Sequence, residues 1–294
     1  MRSPCSLTIF AFVVFVVGCG SGHRPEPQIG PVRIGVLPDR SEEELRRRYE
    51  PLVAFLEASS GLDAELVVPP DYDAFVEAFC DERLDLAWFG GLTYLRAERA
   101  CGALPLVMRD VDLVFTSDFL VARSAAGGSI DDFAGKAFAF GPRGSTSGHL
   151  MPRFYLQRMG IDAEQFFRNV QHTAGHDQTA AWVQTGRVDL GVVNSVVVDS
   201  MLRDGRLSGE RVRVLQTTHP YRNYVWAARP DIDVEVRQRL VDAFQSLDAG
   251  RPGHGAILSL IGARGYVPAS RNDYDDLREV ADSLGLLEQP GAPI

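Results

Sequence analysis

Lysine is almost absent from this chain of 294 residues: Lys136 is the only one among its 30 lysines and arginines. Acidic residues leave a formal net charge of −9, which argues against nucleic acid as a partner because nucleic acids attract basic surfaces. A small anionic ligand is not excluded, since a bound anion is held by local donors and not by net charge. The six histidines show no metal-ligand spacing, so the sequence predicts no metal site, and nothing in it indicates a cofactor.

The N-terminal apolar run is too short for a membrane-spanning helix, which needs about 20 residues. It extends from Leu7 to Val17, follows the positive charge of Arg2 and ends at Gly18-Cys19. This order is typical of a secretory signal peptide, which we expect over residues 1–18.

The Val-Val-Gly-Cys ending of that run resembles a bacterial lipobox, in which the cysteine is diacylated. We therefore expect lipidation at Cys19; an ordinary cleaved signal peptide with an incidental cysteine is the alternative. Residues 19–31 are rich in glycine, proline and charge and predict a tether. The protein would then be exported and anchored by lipid in the periplasm or at the outer face of the membrane.

Two further cysteines, Cys80 and Cys101, lie at the predicted ends of two helices that flank one strand. In an oxidising compartment they would be able to form a disulfide. Two buried thiols are the alternative, because free cysteine is readily buried. The residue pattern does not decide between them.

Short apolar strands and amphipathic helices alternate along the chain in two series, which predicts an α/β protein with mostly parallel sheets flanked by helices. The first series contains strands at Val32 to Leu37, Leu66 to Pro69 and Leu84 to Phe89, with helices after each. Ser41 and Glu44 form a capping box at the start of the first helix.

The second series and its boundaries predict two lobes. A long strand is expected from Phe115 to Ala122, and the second series follows it. We expect lobe 1 to comprise residues 32–114 and 226–294, and lobe 2 residues 115–225. The chain would cross between them twice, at Leu113 to Ala122 and at Leu215 to Ala228.

The loops that follow strands are where a ligand is expected, because open parallel sheets bind ligands beyond the carboxyl ends of their strands. These loops are Pro38 to Arg40, Pro69 to Tyr72, Phe89 to Gly91, Gly141 to Ser147 and Asn194.

The most informative loop contains three consecutive hydroxyl residues, Ser145, Thr146 and Ser147, between a strand and a helix. The first backbone N–H groups of a helix lack internal partners, so with these hydroxyls they would bind a tetrahedral oxyanion. One hydroxyl would suffice to cap the helix, which is the simpler interpretation. Nucleotide binding of the Walker type is disfavoured because no Gly-Lys-Ser/Thr follows the turn.

Four motifs, in this order, resemble the periplasmic phosphate/phosphonate/phosphite-binding proteins of ABC importers. The motifs are Asp71-Tyr72, Asp85-Leu-Ala-Trp-Phe-Gly90, Ser145-Thr-Ser-Gly148 and Gly175-His176-Asp177. The resemblance implies the type II periplasmic-binding-protein fold, in which two α/β lobes joined by two hinge strands close on the ligand. It also implies an importer subunit and not an enzyme.

The resemblance further implies which residues contact the ligand. Ser145, Thr146 and Ser147 would donate to the phosphonyl oxygens, and His176 and Tyr72 would complete the contacts. A solvent-exposed His176 and a Tyr72 that only packs in its helix are the alternatives.

Other positions depart from the family pattern. Phe89 and Phe115 stand where the family often has tyrosine, so each lacks a hydroxyl. The positions near Val196 or Val197 and near Arg222 are not acidic, whereas receptors for aminoalkylphosphonates carry carboxylates there. Arg222 would bind an oxyanion or lie solvated in a hinge loop. We therefore expect a compact, amine-free phosphorus oxyanion such as phosphate, phosphite or methylphosphonate; the sequence leaves the choice among these open.

A sensor is the alternative function. The same scaffold would present a phosphorus or arsenic oxyanion to a membrane histidine kinase instead of an ABC permease, with Cys80 or Cys101 as a soft ligand for arsenite. An enzyme is less favoured, although Ser147 and His176 would resemble a nucleophile and its base.

Overall fold

The computed structural model describes residues 30–287, so the predicted signal peptide, Cys19 and all but the last two residues of the predicted tether lie outside the described residues. Within this range the chain forms two β-sheets, of six and of five strands, flanked by helices. In the same range no helix is both long enough and apolar enough to cross a membrane.

The six-stranded sheet has the order β11-β4-β10-β3-β1-β2. Its strands are β1 (Val32–Val36), β2 (Ala64–Val67), β3 (Leu86–Phe89), β4 (Leu104–Arg109), β10 (Val225–Ala228) and β11 (Tyr266–Pro268). Strands β1 to β4 run in one direction, while β10 and β11 run against them.

The five-stranded sheet has the order β7-β6-β8-β5-β9. Its strands are β5 (Ser117–Ala122), β6 (Ala137–Phe140), β7 (Asn169–His172), β8 (Leu190–Asn194) and β9 (Val212–Thr217). Only β5 runs against the other four. The prediction of two sheets flanked by helices is therefore confirmed, but the sheets are mixed and not mostly parallel: five of the nine strand pairings are antiparallel, because β5, β10 and β11 run against their neighbours.

The helices cover these sheets. They are α1 (Glu42–Ser60), α2 (Tyr72–Cys80), α3 (Gly91–Cys101), α4 (Met151–Arg158), α5 (Ala163–Phe166), α6 (His176–Gln184), α7 (Ser195–Arg203), α8 (Val234–Ser246), α9 (His254–Ile261) and α10 (Asp275–Ser283). Half of the predicted capping box is present at the start of α1: the Ser41 side chain accepts a hydrogen bond from the Glu44 N–H at 3.4 Å, whereas the Glu44 carboxylate accepts from Arg40 at 2.7 Å. Its buried face carries the predicted apolar residues, among them Leu45, Leu52 and Leu56.

The chain passes between the sheets twice, after β4 and between β9 and β10. The two crossing segments pair with each other: the Phe115 N–H donates to the Tyr221 carbonyl at 2.8 Å, and the Tyr221 N–H donates back at 2.9 Å. This pairing gives a two-stranded connection of the kind expected for a hinge. The boundaries of the predicted lobes remain a prediction.

Two strands of the six-stranded sheet were not predicted from the sequence. Strand β4 contains Pro105, which cannot donate to a ladder and therefore argues against a strand inside a sheet. The structure accommodates Pro105 at an irregularity in the register with β10, between Trp226 and Ala227. Strand β11 is only three residues long, too short for a clear alternation.

Cys80 and Cys101 form a disulfide, with their Cα atoms 5.5 Å apart. Each is the last residue of its helix, α2 and α3 respectively. The bond therefore fixes the C-terminal ends of the two helices whose N-terminal ends, at Tyr72 and Gly91, face the candidate site described next.

Candidate functional site

The hydroxyl turn follows strand β6 and leads through a π-helical turn, Thr146–Leu150, into α4. The side chains of Ser145, Thr146 and Ser147 are all buried. Ser145 caps the turn, since its Oγ accepts from the Gly148 N–H at 2.9 Å. The capping interpretation therefore holds for Ser145, but it leaves the hydroxyls of Thr146 and Ser147 for other partners.

Glycine is required where this turn meets the start of α6. A Cβ at Gly148 would lie 2.8 Å from Cε1 of His176 and 2.9 Å from the Gly141 Cα. Any side chain there would separate the turn from the imidazole. The two glycines thus allow the hydroxyls to reach the histidine.

His176 is fully buried and is a hydrogen-bond donor toward the turn. Its Nδ1 accepts from the Asn194 backbone N–H at 3.3 Å, which leaves the ring proton on Nε2. Nε2 lies 3.1 Å from Ser145 Oγ and 3.5 Å from Ser147 Oγ. Burial lowers the pKa of His176 to about 3, with the nearby positive charge of Arg40 adding to the shift.

This tautomer argues against catalysis by Ser147 and His176. A general base must accept the proton of its nucleophile, and here the ring nitrogen that faces the serines already carries one. Ser145 Oγ accepts from both the Gly148 N–H and His176 Nε2–H, so its own proton is left to donate. The arrangement presents O–H groups to an acceptor.

Thr146 connects the two sheets. Its Oγ1 accepts from the Leu92 N–H, in the first turn of α3, at 2.8 Å. The neighbouring Gly91 N–H donates to the Asn223 side chain at 3.3 Å. Two side chains thus hold the start of α3: Thr146 of the hydroxyl turn, on the side of the five-stranded sheet, and Asn223 of the second crossing segment.

Tyr72 is the first residue of α2, a helix on the side of the six-stranded sheet. Its side chain is 5% exposed. Its ring lies against the hydroxyl turn, because a Cβ at Gly144 would be 3.0 Å from the Tyr72 Cδ1. Its hydroxyl is buried without a hydrogen-bond partner among residues 30–287. Burial raises the pKa of Tyr72 well above its usual value, with the Asp39 carboxylate contributing, so the hydroxyl keeps its proton.

A hydrogen-bonded chain continues from His176 to the loop after β1. Asn194 donates from Nδ2 to the Tyr224 hydroxyl at 2.9 Å, and that hydroxyl donates to Asp39 Oδ2 at 3.0 Å. The Tyr224 ring stacks on Trp88, with centroids 4.2 Å apart. All members of this chain are buried.

The structure brings some predicted site residues together and leaves others apart. Tyr72, Ser145, Thr146, Ser147 and His176 form one cluster. Phe115 lies close to it in the first crossing segment, where its ring contacts Tyr221 and Tyr224.

Phe89 and Arg222 are placed elsewhere. The Phe89 ring packs between Phe75 and Phe79 in the hydrophobic core. The Arg222 guanidinium forms an ion pair with Asp273 at 3.1 Å, so a protein carboxylate takes the position that an oxyanion would need.

Sequence reasoning missed Asp39, Arg40 and Tyr224 as individual residues. Asp39 and Arg40 do lie in a loop after a strand, which the rule for parallel sheets had indicated. Nothing in the local sequence marks Tyr224, because only the crossing of the chain between the sheets brings it to Asp39 and Asn194.

Comparison with known proteins gives a consistent result. The model of a family described as "ABC transporter, phosphonate, periplasmic substrate-binding protein" matches residues 34–274. The probable ABC transporter phosphite binding protein PhnD1 of Prochlorococcus marinus is 28% identical over 270 residues, which cover 87% of this chain and 90% of that protein. The phosphate-import protein PhnD of Mycolicibacterium smegmatis is 26% identical over 279 residues, 86% of each chain.

Comparison with solved structures finds the same family. The structure of Prochlorococcus marinus PhnD1 in complex with methylphosphonate superimposes with a TM-score of 0.82 and 25% identity. The superposition covers 87% of this chain and 98% of that one. The two-lobed fold expected from the sequence is thereby confirmed.

Proposed function

The chain belongs to the family of periplasmic phosphonate-binding proteins of ABC transporters, and from that premise we propose that it binds a small, amine-free phosphorus oxyanion and delivers it to an ABC permease. Phosphate, phosphite and methylphosphonate are the candidates. As the family implies, the protein is a binding protein and not an enzyme.

One observation carries the proposal: a buried cluster of proton donors, drawn from both sides of the cleft, that itself contains no carboxylate. Ser145, Thr146 and Ser147 come from one side, Tyr72 from the other, and His176 orients the serines. Hydrogen bonds to a charged group are about twice as strong as neutral ones, and a water-excluded site strengthens them further. Such a cluster suits an oxyanion, and none of its five members carries a negative charge that would compensate a buried ammonium. The nearby Asp39 carboxylate already accepts from Tyr224 and pairs with Arg40 at 3.8 Å.

The size of the ligand is limited by the cavity that lies beside the cluster. This cavity has a volume of about 10 Å³, room for about one water molecule, and is lined by Asp39, Arg40, Asn194 and Tyr224, among others. Ligand sites for drug-sized molecules usually exceed about 300 Å³. A compact anion with a hydrogen, hydroxyl or methyl substituent fits this space better than a long substituent does.

A binding panel tests the proposal. Phosphate, phosphite, methylphosphonate, arsenate, arsenite and 2-aminoethylphosphonate are titrated into the mature domain by calorimetry. We expect at least one amine-free phosphorus anion to bind, to raise the melting temperature and to compact the protein in small-angle scattering, because two hinged lobes close on their ligand. 2-Aminoethylphosphonate should bind at least about tenfold more weakly, or about 1.4 kcal/mol.

Three results would contradict the proposal. Tighter binding of the aminophosphonate would show that a carboxylate in the cleft serves an amine. Preferential binding of an arsenic species would favour the sensor. Absence of binding by every anion in the panel would reject the assignment of the site.

Lipid anchoring forms part of the proposal and rests on the sequence around Cys19. We expect Cys19→Ala to release the protein from the membrane fraction, because the lipid-bearing thiol is lost. Cys5→Ala, which changes the leader but not the lipobox, is the control. A Cys19→Ala protein that stays with the membrane would indicate that the apolar run is an uncleaved anchor.

A further inference from the structure

Two histidines outside the anion cluster hold the segment that leads into the hydroxyl turn. His149 lies in the π-helical turn and is 3% exposed, and His172 is the half-buried last residue of β7. His149 Nδ1 lies 2.8 Å from the Arg143 carbonyl oxygen, and His172 Nδ1 lies 3.1 Å from that of Gly141. A carbonyl oxygen only accepts, so each Nδ1 carries a proton and donates it. The two imidazoles therefore orient two carbonyls that come just before the hydroxyls.

The neighbours of His149 fix the orientation of its ring. Its Nε2 accepts from Arg153 Nε at 3.0 Å, and the two Nη atoms of Arg153 bind Glu164 at 2.8 and 2.6 Å. The rings of His149 and His172 meet edge to face with centroids 4.7 Å apart, and both contact the ring of Phe140. His149 cannot rotate without breaking hydrogen bonds at both ring nitrogens, so the direction of the Arg143 carbonyl is fixed.

The peptide group that His149 holds lies between Arg143 and Gly144. It is the central peptide of a β-turn that the Ser145 N–H closes by donating to the Pro142 carbonyl at 2.9 Å. No peptide bond among residues 30–287 is cis, and in a trans peptide the carbonyl and the N–H point in opposite directions. Because the carbonyl is directed at His149, the Gly144 N–H faces the other side of the turn.

The Gly144 N–H has no acceptor within the described part of the chain. Gly144 is buried, yet its N–H donates to no group among residues 30–287. Nearly all buried N–H groups are paired, so this one indicates an acceptor outside the described chain. Tyr72 packs on the same residue, because a Cβ at Gly144 would lie 3.0 Å from Tyr72 Cδ1, and the Tyr72 hydroxyl is itself buried without a partner in that range. Two donors without acceptors, one from each side of the cleft, thus belong to residues in contact.

We propose that the Gly144 N–H is a further donor to the bound anion, and that His149 and His172 are positioning residues that hold it toward the ligand. This proposal rests on the proposed function and adds a backbone donor to its site. His149 acts on the peptide itself, whereas His172 holds the start of the turn at Gly141. A peptide held in this way needs no rearrangement when the anion arrives, so its hydrogen bond costs little ordering.

The amide resonance of Gly144 tests the new contact directly. Phosphate, phosphite and methylphosphonate are titrated into the ¹⁵N-labelled protein. We expect the tightest of them to move the Gly144 amide proton downfield and to slow its exchange with solvent, because the N–H gains a charged acceptor. Gly160 supplies the control resonance: its N–H donates to the Gln157 carbonyl at 2.9 Å beyond the end of α4, and it should not move.

Two variants of His149 separate positioning from packing. His149→Phe keeps a ring but removes the donor, whereas His149→Asn loses the ring but keeps an N–H near the place of Nδ1. Both should lower the melting temperature. Affinity should fall by about tenfold or more in His149→Phe, because the freed peptide can turn away, and should stay within about threefold of wild type in His149→Asn. If the histidine only packed, affinity would follow the melting temperature in both variants.

His172 provides a second test at a less buried position, where substitutions disturb the fold less. His172→Phe and His172→Asn should separate in the same order by a smaller factor, because Gly141 lies farther along the chain from Gly144. His254→Phe is the matched control. The His254 ring contacts Phe55 at 4.9 Å near the C-terminal end of α1, and its Nδ1 accepts from the Asp248 N–H at 3.3 Å, so its loss should lower stability alone.

The possible failures are distinguishable. A Gly144 amide that stays in place while an anion binds overturns the contact and leaves the proposed function standing. Equal losses of affinity in the Phe and Asn variants of both histidines overturn the positioning role, again without touching the proposed function. If none of the three anions binds the wild-type protein, the proposed function fails together with this inference.

Discussion

The two sheets contribute unlike halves to the cleft. On the side of the five-stranded sheet, the groups hold one another: Ser145 accepts from Gly148 and from His176, and Asn194 fixes the histidine tautomer. On the side of the six-stranded sheet, Tyr72 OH and Asp39 Oδ1 have no hydrogen-bond partners among the described residues, although Arg40 Nε lies 3.8 Å from that carboxylate oxygen. One half is preorganised, whereas the other half is incomplete without a further group.

This difference indicates an order of events. A preorganised half can bind the anion while the cleft is open, because its donors need no rearrangement. The incomplete half gains its partners only when the lobes close, so the ligand itself supplies the contacts that favour closure. We therefore expect changes on the five-stranded side to abolish binding and changes on the six-stranded side to weaken closure.

The largest expected effect is acid destabilisation of the preorganised half. Two more histidines lie on this side: His149 in the π-helical turn, whose Nδ1 is 2.8 Å from the Arg143 carbonyl oxygen, and His172 at the end of β7, whose Nδ1 is 3.1 Å from that of Gly141. Burial lowers the pKa of His149 to about 3, of His172 to about 4 and of His176 to about 3, all below the usual 6.5. The unfolded chain therefore binds more protons, and the free energy of unfolding falls as pH drops from about 6.5 toward 3. Several kcal/mol are at stake, at about 1.36 kcal/mol per pKa unit.

Urea denaturation at a series of pH values measures this loss. His172→Gln should show a shallower decrease between about pH 6.5 and 4.5, because this half-buried histidine, whose pKa is low only in the folded protein, no longer gains a proton on unfolding. Equal slopes for the two proteins would mean that the histidines do not carry the effect.

The next effect concerns the hydroxyl turn. Thr146→Val combined with Ser147→Ala should lower affinity for the tightest phosphorus anion by several kcal/mol, since each lost hydrogen bond to a charged group is worth about 1.5–3 kcal/mol. Thr146 also loses its contact with the Leu92 N–H, so closure suffers too. Calorimetry on the folded double variant gives the measurement.

A double variant away from the cleft provides the control. Thr185→Val with Ser246→Ala removes hydroxyls that bond to helix carbonyls, those of Ala181 and Ala243. It should bind like the wild type. Unchanged binding by the Thr146/Ser147 variant would exclude the turn as the anion site.

Tyr72→Phe should have an intermediate effect. Removing an unpaired buried hydroxyl should leave the free energy of unfolding of the unliganded protein unchanged or slightly higher. Affinity should fall by about 1.5–3 kcal/mol, because the ligand loses a donor on closure. Thermal unfolding and calorimetry of the same samples separate the two quantities.

Tyr94→Phe should show the opposite pattern. The Tyr94 hydroxyl donates to Glu98 at 3.0 Å within α3, so its removal should lower stability and leave affinity unchanged. If Tyr72→Phe loses stability like Tyr94→Phe and keeps its affinity, Tyr72 only packs, as the simpler interpretation of the sequence held.

The same contrast between the two halves explains which site residues could be predicted from the sequence. The preorganised half is largely local in sequence, because a strand, a glycine, three hydroxyl residues and a helix follow one another. The unpaired N–H groups at a helix start and the adjacent hydroxyls predict an anion site there. His176 was assigned through the resemblance to a family. The structure adds what holds it, the Asn194 N–H, which comes from another strand.

The incomplete half depends on tertiary contacts that no short motif encodes. Asp39, Asn194 and Tyr224 are separated by long stretches of chain and meet only because the chain crosses between the sheets twice. Strand β4 was missed because Pro105 contradicts the usual strand signal. We assigned Phe89 to the site from its position in the motif alone. In the structure its ring packs against Phe75 and Phe79 on the buried face of α2.

The smallest expected effect comes from an ion pair that joins the two sides at the rim of the cleft. Arg206, which follows α7, contacts Glu44 of α1 with Nη1 and Oε2 3.0 Å apart. Arg40 and Arg48 share the same carboxylate, so Glu44 keeps two partners without Arg206. Arg206→Ala should therefore cost only about 0.2–1 kcal/mol of affinity, as for partly exposed pairs, mainly as faster ligand release.

Salt provides the decisive readout for this pair. Because the Arg206 side chain is 36% exposed, added salt should erase the difference between Arg206→Ala and wild type. Arg46→Ala, which breaks the exposed pair with Glu42 inside α1, should not change ligand release at any salt concentration. If Arg206→Ala releases the ligand at the wild-type rate in low salt, this rim contact does not favour the closed form, and the ligand-completed contact of Tyr72 must hold the lobes together.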